Sequence, residues 1–402
     1  MISLEQALEQ IFASAKPLGT EIISISDAAN RVLAKPLKAK LNQPPFDVSA
    51  MDGYGVRAND IKPDVSLKEI GMSQAGAGFA GEIKQGECIR IFTGAPTPKG
   101  VDAIVMQEDI QENIKANGKN IIFSKSVKSG QHLRKMGQDF SKGQVLLDIG
   151  TILNPASISL CAASNNAKVE VFKRPNVAIL ATGDELVEPG ATPSPEQIIS
   201  SNPYGISALL APFCASVVNH PIAPDDEQEL KTRLKDILNS DADIIITSGG
   251  ASVGKYDFVQ PTLKSLGVKM DFWKIAIRPG KPLMFGTYSK KLIFGLPGNP
   301  VSSMVTATIA TLPAIRAMLG IKNTSGEQMV LPLSSGLGAN GNRRHFIRAI
   351  IVSDENGATK IEPIGETDSA NLTSFSTANA LIIHHENSPA LKAGDLVKII
   401  KL

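Results

Sequence analysis

Between Asn176 and Gly320 the chain alternates wholly apolar runs with amphipathic segments, and this alternation constrains the fold more than any other feature. NVAILATG and DIIITSGG are typical of strands buried on both faces, while DDEQELKTRLKDIL has a helical period. Its inward helical face comprises Leu230, Leu234, Ile237 and Leu238. Buried strands that alternate with helices indicate a parallel sheet covered on both sides. The sequence therefore predicts a doubly wound α/β domain over residues 175–324.

Three flanking regions differ from the central one in sequence pattern. Residues 1–48 and 146–174 predict one mixed α/β domain: Ser3 and Gln6 form a capping-box pattern, and Pro155 opens a second helix. Residues 49–145 carry many glycines and short apolar runs, which predicts a glycine-rich β domain. Residues 325–402 contain GNRRHFIRAIIVS, ALIIHHE and LVKIIKL, which predict a small C-terminal β domain.

Charge and composition exclude several classes of protein. The 41 Lys+Arg against 39 Asp+Glu give a net charge of +2, so the sequence predicts neither a nucleic acid nor an anionic membrane as partner. No apolar run reaches the ~18 residues of a spanning helix, and the N-terminus lacks a signal-peptide pattern. Cys88, Cys161 and Cys214 lie far apart, which predicts free thiols in a reducing, cytoplasmic setting.

Three predicted strands of the central domain end in loops rich in polar residues and glycine. Ligands of open parallel sheets bind beyond such carboxyl ends. The loop from Ser248 to Gly254 offers backbone N–H groups without blocking side chains, and its serines can donate hydrogen bonds. A plain tight turn is the alternative. The position of this loop beside TGDE and GLPGNP, which follow two other strands, favours binding of an anion such as phosphate.

Two further stretches of this domain favour an anionic ligand. In LPGNP, Asn299 is predicted to cap a long helix that begins at Pro300, although simple helix initiation explains the pattern equally well. In WKIAIRPGKP three cations occur within eight residues, and on a strand Lys274 and Arg278 share a face. The alternative for this second stretch is a solvated edge.

Carboxylates are frequent in the same loops, and they are Asp184, Glu185, Asp225, Asp226 and Asp257. Acids in a first helical turn are often only partners of the helix dipole. Carboxylates beside a phosphate-bearing ligand also suit Mg²⁺, which needs few protein ligands. Outside the central domain, the turn-rich stretch SAMDGYGV either is a connection or delivers Asp52 to a site on another domain or subunit.

Taken together, seven stretches resemble the molybdopterin molybdenumtransferases, the MoeA and gephyrin E-domain family. They are PPFDVSAMDGYGVRAND, FTGAPTPKGVDAIVMQED, LRKMGQDFSKGQVLL, ILATGDELVEPG, TSGGASVGKYDF, WKIAIRPGKP and FGLPGNPVSS. They occur in the order of that family and extend over nearly the whole chain. The resemblance implies that the α/β domain binds molybdopterin.

The resemblance implies an enzyme that inserts molybdate into adenylylated molybdopterin and releases molybdenum cofactor and AMP with the help of Mg²⁺. It also implies a homodimer in which each site combines the α/β domain of one subunit with loops of the other. Molybdopterin adenylyltransferase and apo-molybdoenzymes are the implied further partners.

Residue roles follow from the same resemblance, position by position. The implied catalytic residues are Asp52, Thr93, Glu185, Asp226, Asp257, Lys274 and Arg278, of which Glu185, Asp226 and Asp257 would hold the metal. The implied cradle of the pterin phosphate is Ser248, Gly249, Gly250 and Ser252, with Pro297, Asn299, Pro300 and Ser302 lining the cleft opposite. The implied molybdate-holding residues are Lys274, Lys281, Ser302, Arg344 and Ser374.

Two alternatives remain at this point. The α/β domain also resembles the molybdopterin adenylyltransferases, but that family is a single α/β domain and lacks the Asp52 loop and the two β regions. The chain could instead be a scaffold that has kept the fold without the chemistry. The complete set of polar site residues argues against a pure scaffold.

Overall fold

The first helix, Leu4–Ser14, begins at the predicted capping box. Ser3 Oγ accepts from the Gln6 N–H at 3.2 Å, and the Gln6 side chain accepts from the Ser3 N–H at 3.0 Å. The helix buries its apolar face in the largest core of the protein. The computed structural model describes residues 1–115, 118–249, 258–353, 357–365 and 368–402.

Strand pairing joins the two predicted halves of the N-terminal region. Thr20–Ser24 pairs antiparallel with Lys168–Phe172, and Leu37–Lys38 pairs with Val145–Leu147. The helix Pro155–Ala163 packs into their common core. Two short strands near the ends of the glycine-rich region, Val48–Ser49 and Leu133–Arg134, pair antiparallel with each other.

The glycine-rich region contains a six-stranded sheet with its own core around Tyr54 and Phe123. Its strands, in spatial order, are Ala103–Met106, Gly53–Val56, Glu87–Ile91, Val65–Ser73, Gly118–Phe123 and Ile110–Lys115. Among the described residues, no hydrogen bond or ion pair joins 46–140 to 176–320, and no hydrophobic core contains members of both.

The central sheet has six strands with helices on both faces. In spatial order the strands are Ser216–Ala223, Asn176–Thr182, Ile244–Ser248, Lys291–Leu296, Met284–Tyr288 and Lys269–Phe272. The helices are Asn202–Leu210, Glu227–Asn239, Val259–Ser265 and Pro300–Met318, and the last contains a π-helical turn at Ala307–Thr311.

Alternation along the central strands explains why they are wholly apolar. Ile244 and Ile246 enter one core with the long helix, while Ile245 enters the other core with helix Glu227–Asn239. The doubly wound prediction is thereby confirmed. The prediction of a wholly parallel sheet is wrong for Met284–Tyr288, which runs antiparallel to both neighbours because a tight turn at Ser289 joins it to the next strand.

The C-terminal sheet takes one strand from within the central segment. Its strands, in spatial order, are Ile277–Arg278, Arg344–Ser353, Ala380–His384, Leu396–Lys401 and Gln328–Pro332, with Thr359–Pro363 paired to Arg344–Ser353. The short helix Leu372–Thr377 packs against the long helix of the central domain. The domain boundaries given above stay predictions.

One helix is longer and more apolar than expected from the sequence, which has no continuous apolar run long enough to span a membrane. Pro300–Met318 has 19 residues and a mean hydropathy of 1.2, enough by length and composition to cross a membrane. Within the window that passes this test, 83% of the residues are buried inside the protein, as in the core helix of a globular domain.

Candidate functional site

The carboxyl ends of three adjacent strands meet at one edge of the central sheet. Thr182, Ser248 and Leu296 end neighbouring parallel strands, so the loops that follow them lie side by side. A cavity of about 370 Å³ opens there. It is lined by Ala181, Thr182, Glu185, Leu186, Ile198, Ile199, Ser200, Ser201, Asn202, Ser248, Gly249, Gly298, Asn299, Pro300 and Ala370. Five predicted site residues, Glu185, Ser248, Gly249, Asn299 and Pro300, are therefore brought together.

Gly249 is required by a close approach of backbone. Its φ is +94°, and a Cβ at this position would lie 2.5 Å from the carbonyl oxygen of Thr182. Any other residue would separate the two loops that form the cavity floor. Gly250, Ser252 and Asp257, which complete the predicted motif, lie outside the described residues.

Asn202 connects the cavity walls, and the sequence analysis did not select it. Its side-chain amide donates to Ser248 Oγ at 2.9 Å and to the Gly298 carbonyl at 2.7 Å. One side chain thus holds the Ser248 loop and the Gly298 loop at a fixed spacing. The sequence feature that points to Asn202 is its position directly before Pro203, at the start of a helix.

The N-terminus of the long helix forms the opposite wall. Asn299 occupies the N-cap position, but its side chain makes no capping hydrogen bond, so the prediction of a side-chain cap is wrong. Instead its amide donates to Ser369 Oγ at 2.9 Å, and the Val301 N–H donates to the Ser369 carbonyl at 3.0 Å. Pro297 is buried directly before this turn, and Ser302 is buried in the first turn of the helix.

Acidic side chains lie close together at one end of this sheet edge, beside the outermost strand Ser216–Ala223. Asp184 Oδ1 accepts from the Asp225 N–H at 3.0 Å. Burial raises the pKa of Asp225, and the charges of Asp184 and Glu185 raise it further. Asp226 instead caps helix Glu227–Asn239, where its Oδ1 accepts from the Glu229 N–H at 2.8 Å.

The metal-binding role predicted for Asp226 stays a prediction. Its neighbour Asp225 lies close to the negative charges of Asp184 and Glu185, and such a group of carboxylates favours a cation. Within the described part of the chain, no three His, Cys, Asp or Glu side chains form a metal-binding group. A Mg²⁺ ion here would fit only with oxygens from a ligand and with water, which is its usual mode of binding at phosphates.

The basic stretch lies at the other end of the same edge. Lys274 is half-buried with its Nζ 4.2 Å from the centroid of the Trp273 ring, while Lys281 is exposed just before strand Met284–Tyr288. Gly280 packs against the first turns of the long helix, because a Cβ there would lie 2.5 Å from Thr306 Cγ2. Lys281 is thereby held next to the helix that contains Ser302.

Arg278 is exposed in a strand that pairs with the C-terminal sheet, where it lies opposite His345. Burial lowers the pKa of His345 to about 4, and the Arg278 charge contributes to this lowering. His345 is therefore neutral near pH 7, and Arg278 is the cation at this position. The strand covers only Ile277 and Arg278, so the predicted longer basic face is not formed.

The two predicted C-terminal residues are engaged with protein groups. Arg344 pairs with Glu5 and, at 3.1 Å, with Glu386, and it lines a separate cavity of about 240 Å³. Ser374 Oγ accepts from Arg348 at 2.5 Å. The structure does not bring Arg344 to the cavity at Ser248, and the molybdate-holding role of both residues stays a prediction.

Asp52 and Thr93 form a pair in the glycine-rich region. The Thr93 N–H and hydroxyl both donate to Asp52 Oδ1 at 2.7 Å, and these bonds lower the pKa of Asp52. Both residues are exposed. The carboxylate is thus charged and fixed in direction, but it lies on a domain without a described contact to the central cavity.

These features define a class: a multidomain protein whose α/β domain has a cavity at the carboxyl ends of its strands, between acidic and basic groups. Comparisons with known proteins give the family. Residues 2–164 match the MoeA N-terminal region, domains I and II; residues 178–317 match the probable molybdopterin-binding domain; residues 330–402 match the MoeA C-terminal region, domain IV.

Relatives and solved structures extend over the full length. The molybdopterin molybdenumtransferase of Haemophilus influenzae is 35% identical and covers 99% of this chain and 98% of its own. That of Bacillus subtilis is 30% identical over 99% and 94%. The crystal structure of a molybdopterin biosynthesis MoeA protein from Pyrococcus horikoshii OT3 superposes with a TM-score of 0.85 at 28% identity and covers 100% of both chains.

The chain therefore belongs to the molybdopterin molybdenumtransferase family, a family of transferases of molybdenum cofactor biosynthesis. The resemblance drawn from the seven sequence stretches is confirmed. A single-domain adenylyltransferase is disfavoured because the matches include the regions on both sides of the α/β domain.

Proposed function

We propose that this protein inserts molybdate into the dithiolene of adenylylated molybdopterin and releases molybdenum cofactor and AMP. The observation that carries the proposal is the arrangement along one sheet edge. Acidic groups lie at one end, the cavity at Ser248 and Gly249 lies in the middle, and the cations Lys274 and Lys281 lie at the other end. The diphosphate that joins adenosine to molybdopterin could bind between the acidic end and the cavity, and the oxyanion could bind at the basic end.

The chain's own groups would act on charge and orientation. The loops held by Asn202 would bind the phosphate through N–H and hydroxyl groups. Lys274, Lys281 and Ser302 would hold molybdate and offset its negative charge. Glu185 and Asp225 would hold Mg²⁺ at the diphosphate together with oxygens of the ligand and water, and the ion would supply charge neutralisation there.

Asp52 is the part of the proposed site that another subunit would supply. Its carboxylate is exposed and held by Thr93 in a region whose described residues share no hydrophobic core with those of the α/β domain. We therefore propose a homodimer in which Asp52 and Thr93 of one subunit complete the cavity of the other. Molybdopterin adenylyltransferase and apo-molybdoenzymes are the proposed partners, and the cytoplasm is the proposed location.

A reconstitution assay tests the proposal. Purified protein is mixed with adenylylated molybdopterin, molybdate and Mg²⁺, and AMP and a cofactor able to activate an apo-molybdoenzyme are measured. We expect both products with the native protein, and neither with Asp52→Ala, which should remain folded and dimeric. Absence of both products with the native protein would disprove the transferase, and full activity of Asp52→Ala would remove Asp52 from the site.

A further inference from the structure

A second groove opens at the free edge of the central sheet. It has a volume of about 350 Å³ and is lined by Gln260 and Lys264 of one helix and by Met270, Asp271, Phe272 and Trp273. The roles proposed for the cavity at Ser248 do not use this groove, although its Trp273 contacts Lys274.

Strand direction brings the groove to the same edge as the proposed site. Lys269–Phe272 is antiparallel to Met284–Tyr288, which is itself antiparallel to Lys291–Leu296. The strand therefore ends, at Phe272, on the side where Ser248 ends its own strand. Three strand spacings separate the two ends, which is about 14 Å. Trp273, the residue after Phe272, thus lies along the sheet edge from the phosphate cavity, next to Lys274.

Trp273 has the features of a stacking platform. It is the only tryptophan of the chain and is 45% exposed, whereas Phe272, Phe285 and Phe294 of the same domain are buried. The Lys274 ammonium, 4.2 Å from the ring centroid, adds a cation–π contact that orients the indole. An exposed indole in a groove binds flat heterocycles by stacking.

Asp271 restricts what can bind. Between Met270 and Phe272 the register against Met284–Tyr288 shifts, so Asp271 is the extra residue of a β-bulge. A bulge interrupts the free edge and disfavours pairing with an extended peptide. The Asp271 side chain is 20% exposed, and its Oδ1 lies 4.0 Å from the Lys269 ammonium. Its carboxylate can therefore accept two hydrogen bonds from a ligand.

We propose that this groove is the subsite for the pterin ring of the substrate; the inference rests on the proposed function. A pterin presents an amino group and a ring N–H side by side, which match the two oxygens of the Asp271 carboxylate, while its flat face matches Trp273. Adenine lacks that pair of adjacent donors. The order along the edge is then diphosphate between Asp225 and Ser248, molybdate at Lys274 and pterin at Trp273.

Calorimetry with neopterin, without molybdate, Mg²⁺ or adenylylated substrate, tests the subsite on the full chain. We expect saturable binding that Trp273→Ala weakens about tenfold or more. Trp273→Phe should retain most of the affinity because it keeps a stacking ring. Asp271→Asn should weaken neopterin but not lumazine, which lacks the amino group. Tyr204→Ala, a change of an equally exposed aromatic that lines neither cavity, should bind like the native protein.

Several results would overturn the subsite: no neopterin binding at millimolar concentration, unchanged affinity in folded Trp273→Ala, or AMP binding that Trp273→Ala weakens as much as it weakens neopterin binding. The test is separable from the transferase proposal. Turnover in the reconstitution assay without Trp273-dependent pterin binding refutes the subsite alone. Trp273-dependent binding without turnover refutes the transferase alone.

Discussion

The cavity at Ser248 and the Asp52–Thr93 pair are both built from polar groups on turns, but they differ in what surrounds them. The cavity lies at the edge of a sheet buried on both faces, and Asn202 holds two of its walls. Asp52 lies on the surface of a separate sheet, and the hydrogen bonds to its carboxylate come from Thr93.

The cavity has the walls of a binding site, whereas Asp52 is a single charged group on an exposed surface. Most walls of the cavity belong to the central domain, and Ala370 of the C-terminal region completes the lining. The hydrogen bonds from Thr93 lower the pKa of Asp52 and fix the direction of a carboxylate that is exposed. A charged group held in this way can act on a second surface that faces it, which motivates the proposed assembly of one site from two subunits.

Mixed dimers give the largest expected effect. Asp52→Ala and the double variant Lys274→Ala/Lys281→Ala should each be inactive. If the site is shared, a heterodimer of the two contains one intact site, so random mixing should restore about a quarter of native activity. The measurement is AMP release after the two proteins are co-expressed and purified together.

Two controls make the mixing experiment decisive. Each variant co-expressed with a differently tagged copy of itself should remain inactive. Restoration should disappear when both sets of substitutions are placed in the same chain and paired with Asp52→Ala. Absence of recovery in a verified heterodimer would mean that the Asp52 pair and the cavity do not act together across subunits.

The hydrogen bonds that hold each region give a smaller effect. Asn202→Ala removes two bonds between the cavity walls and should lower kcat/KM about thirtyfold. Thr93→Val removes only the hydroxyl bond and leaves the N–H bond to Asp52, so a loss of about fivefold is expected. Thr93→Ser, which keeps the hydroxyl, is the matched control. A larger loss for Thr93→Val than for Asn202→Ala would reverse the comparison between the two regions.

The smallest expected effect is a change in pH dependence. Because the pKa of Asp225 is raised, this carboxyl takes up a proton at a higher pH than an ordinary aspartate. Mg²⁺ affinity, measured by calorimetry with a diphosphate nucleotide present, should therefore fall as the pH is lowered. Asp225→Asn should weaken binding and flatten that profile, whereas Asp226→Asn, which preserves the helix cap, should not. Identical profiles for native protein and Asp225→Asn would exclude Asp225 as a ligand.

The sequence predicted features that depend on local pattern. The capping box follows from the spacing of Ser3 and Gln6, the strand Ile244–Ser248 from a continuous apolar run, and the helix face of Leu230 from a 3.6-residue period. The structure confirms all three. The glycine-rich turn was recognised because glycines leave backbone N–H groups accessible, and the positive φ of Gly249 adds a reason that only the structure shows.

What the sequence did not reveal depends on long-range contacts. Asn202 is 46 residues from Ser248 and 96 from Gly298, so nothing local shows that it joins them. Asp225 and Asp226 are neighbours with the same chemistry, and only the start of the helix decides which one is used as a cap. The engagement of Arg344 by Glu5 likewise depends on the packing of the first helix against the C-terminal sheet.

The strand Ile277–Arg278 has a consequence for the modularity of the protein. It lies in sequence between two strands of the central sheet but hydrogen-bonds to the C-terminal sheet. A version of the chain truncated before residue 325 would therefore keep all six central strands and lose the partner of the segment that contains the cations. Evolution could exchange or delete the C-terminal sheet only together with a change in how this basic segment is held.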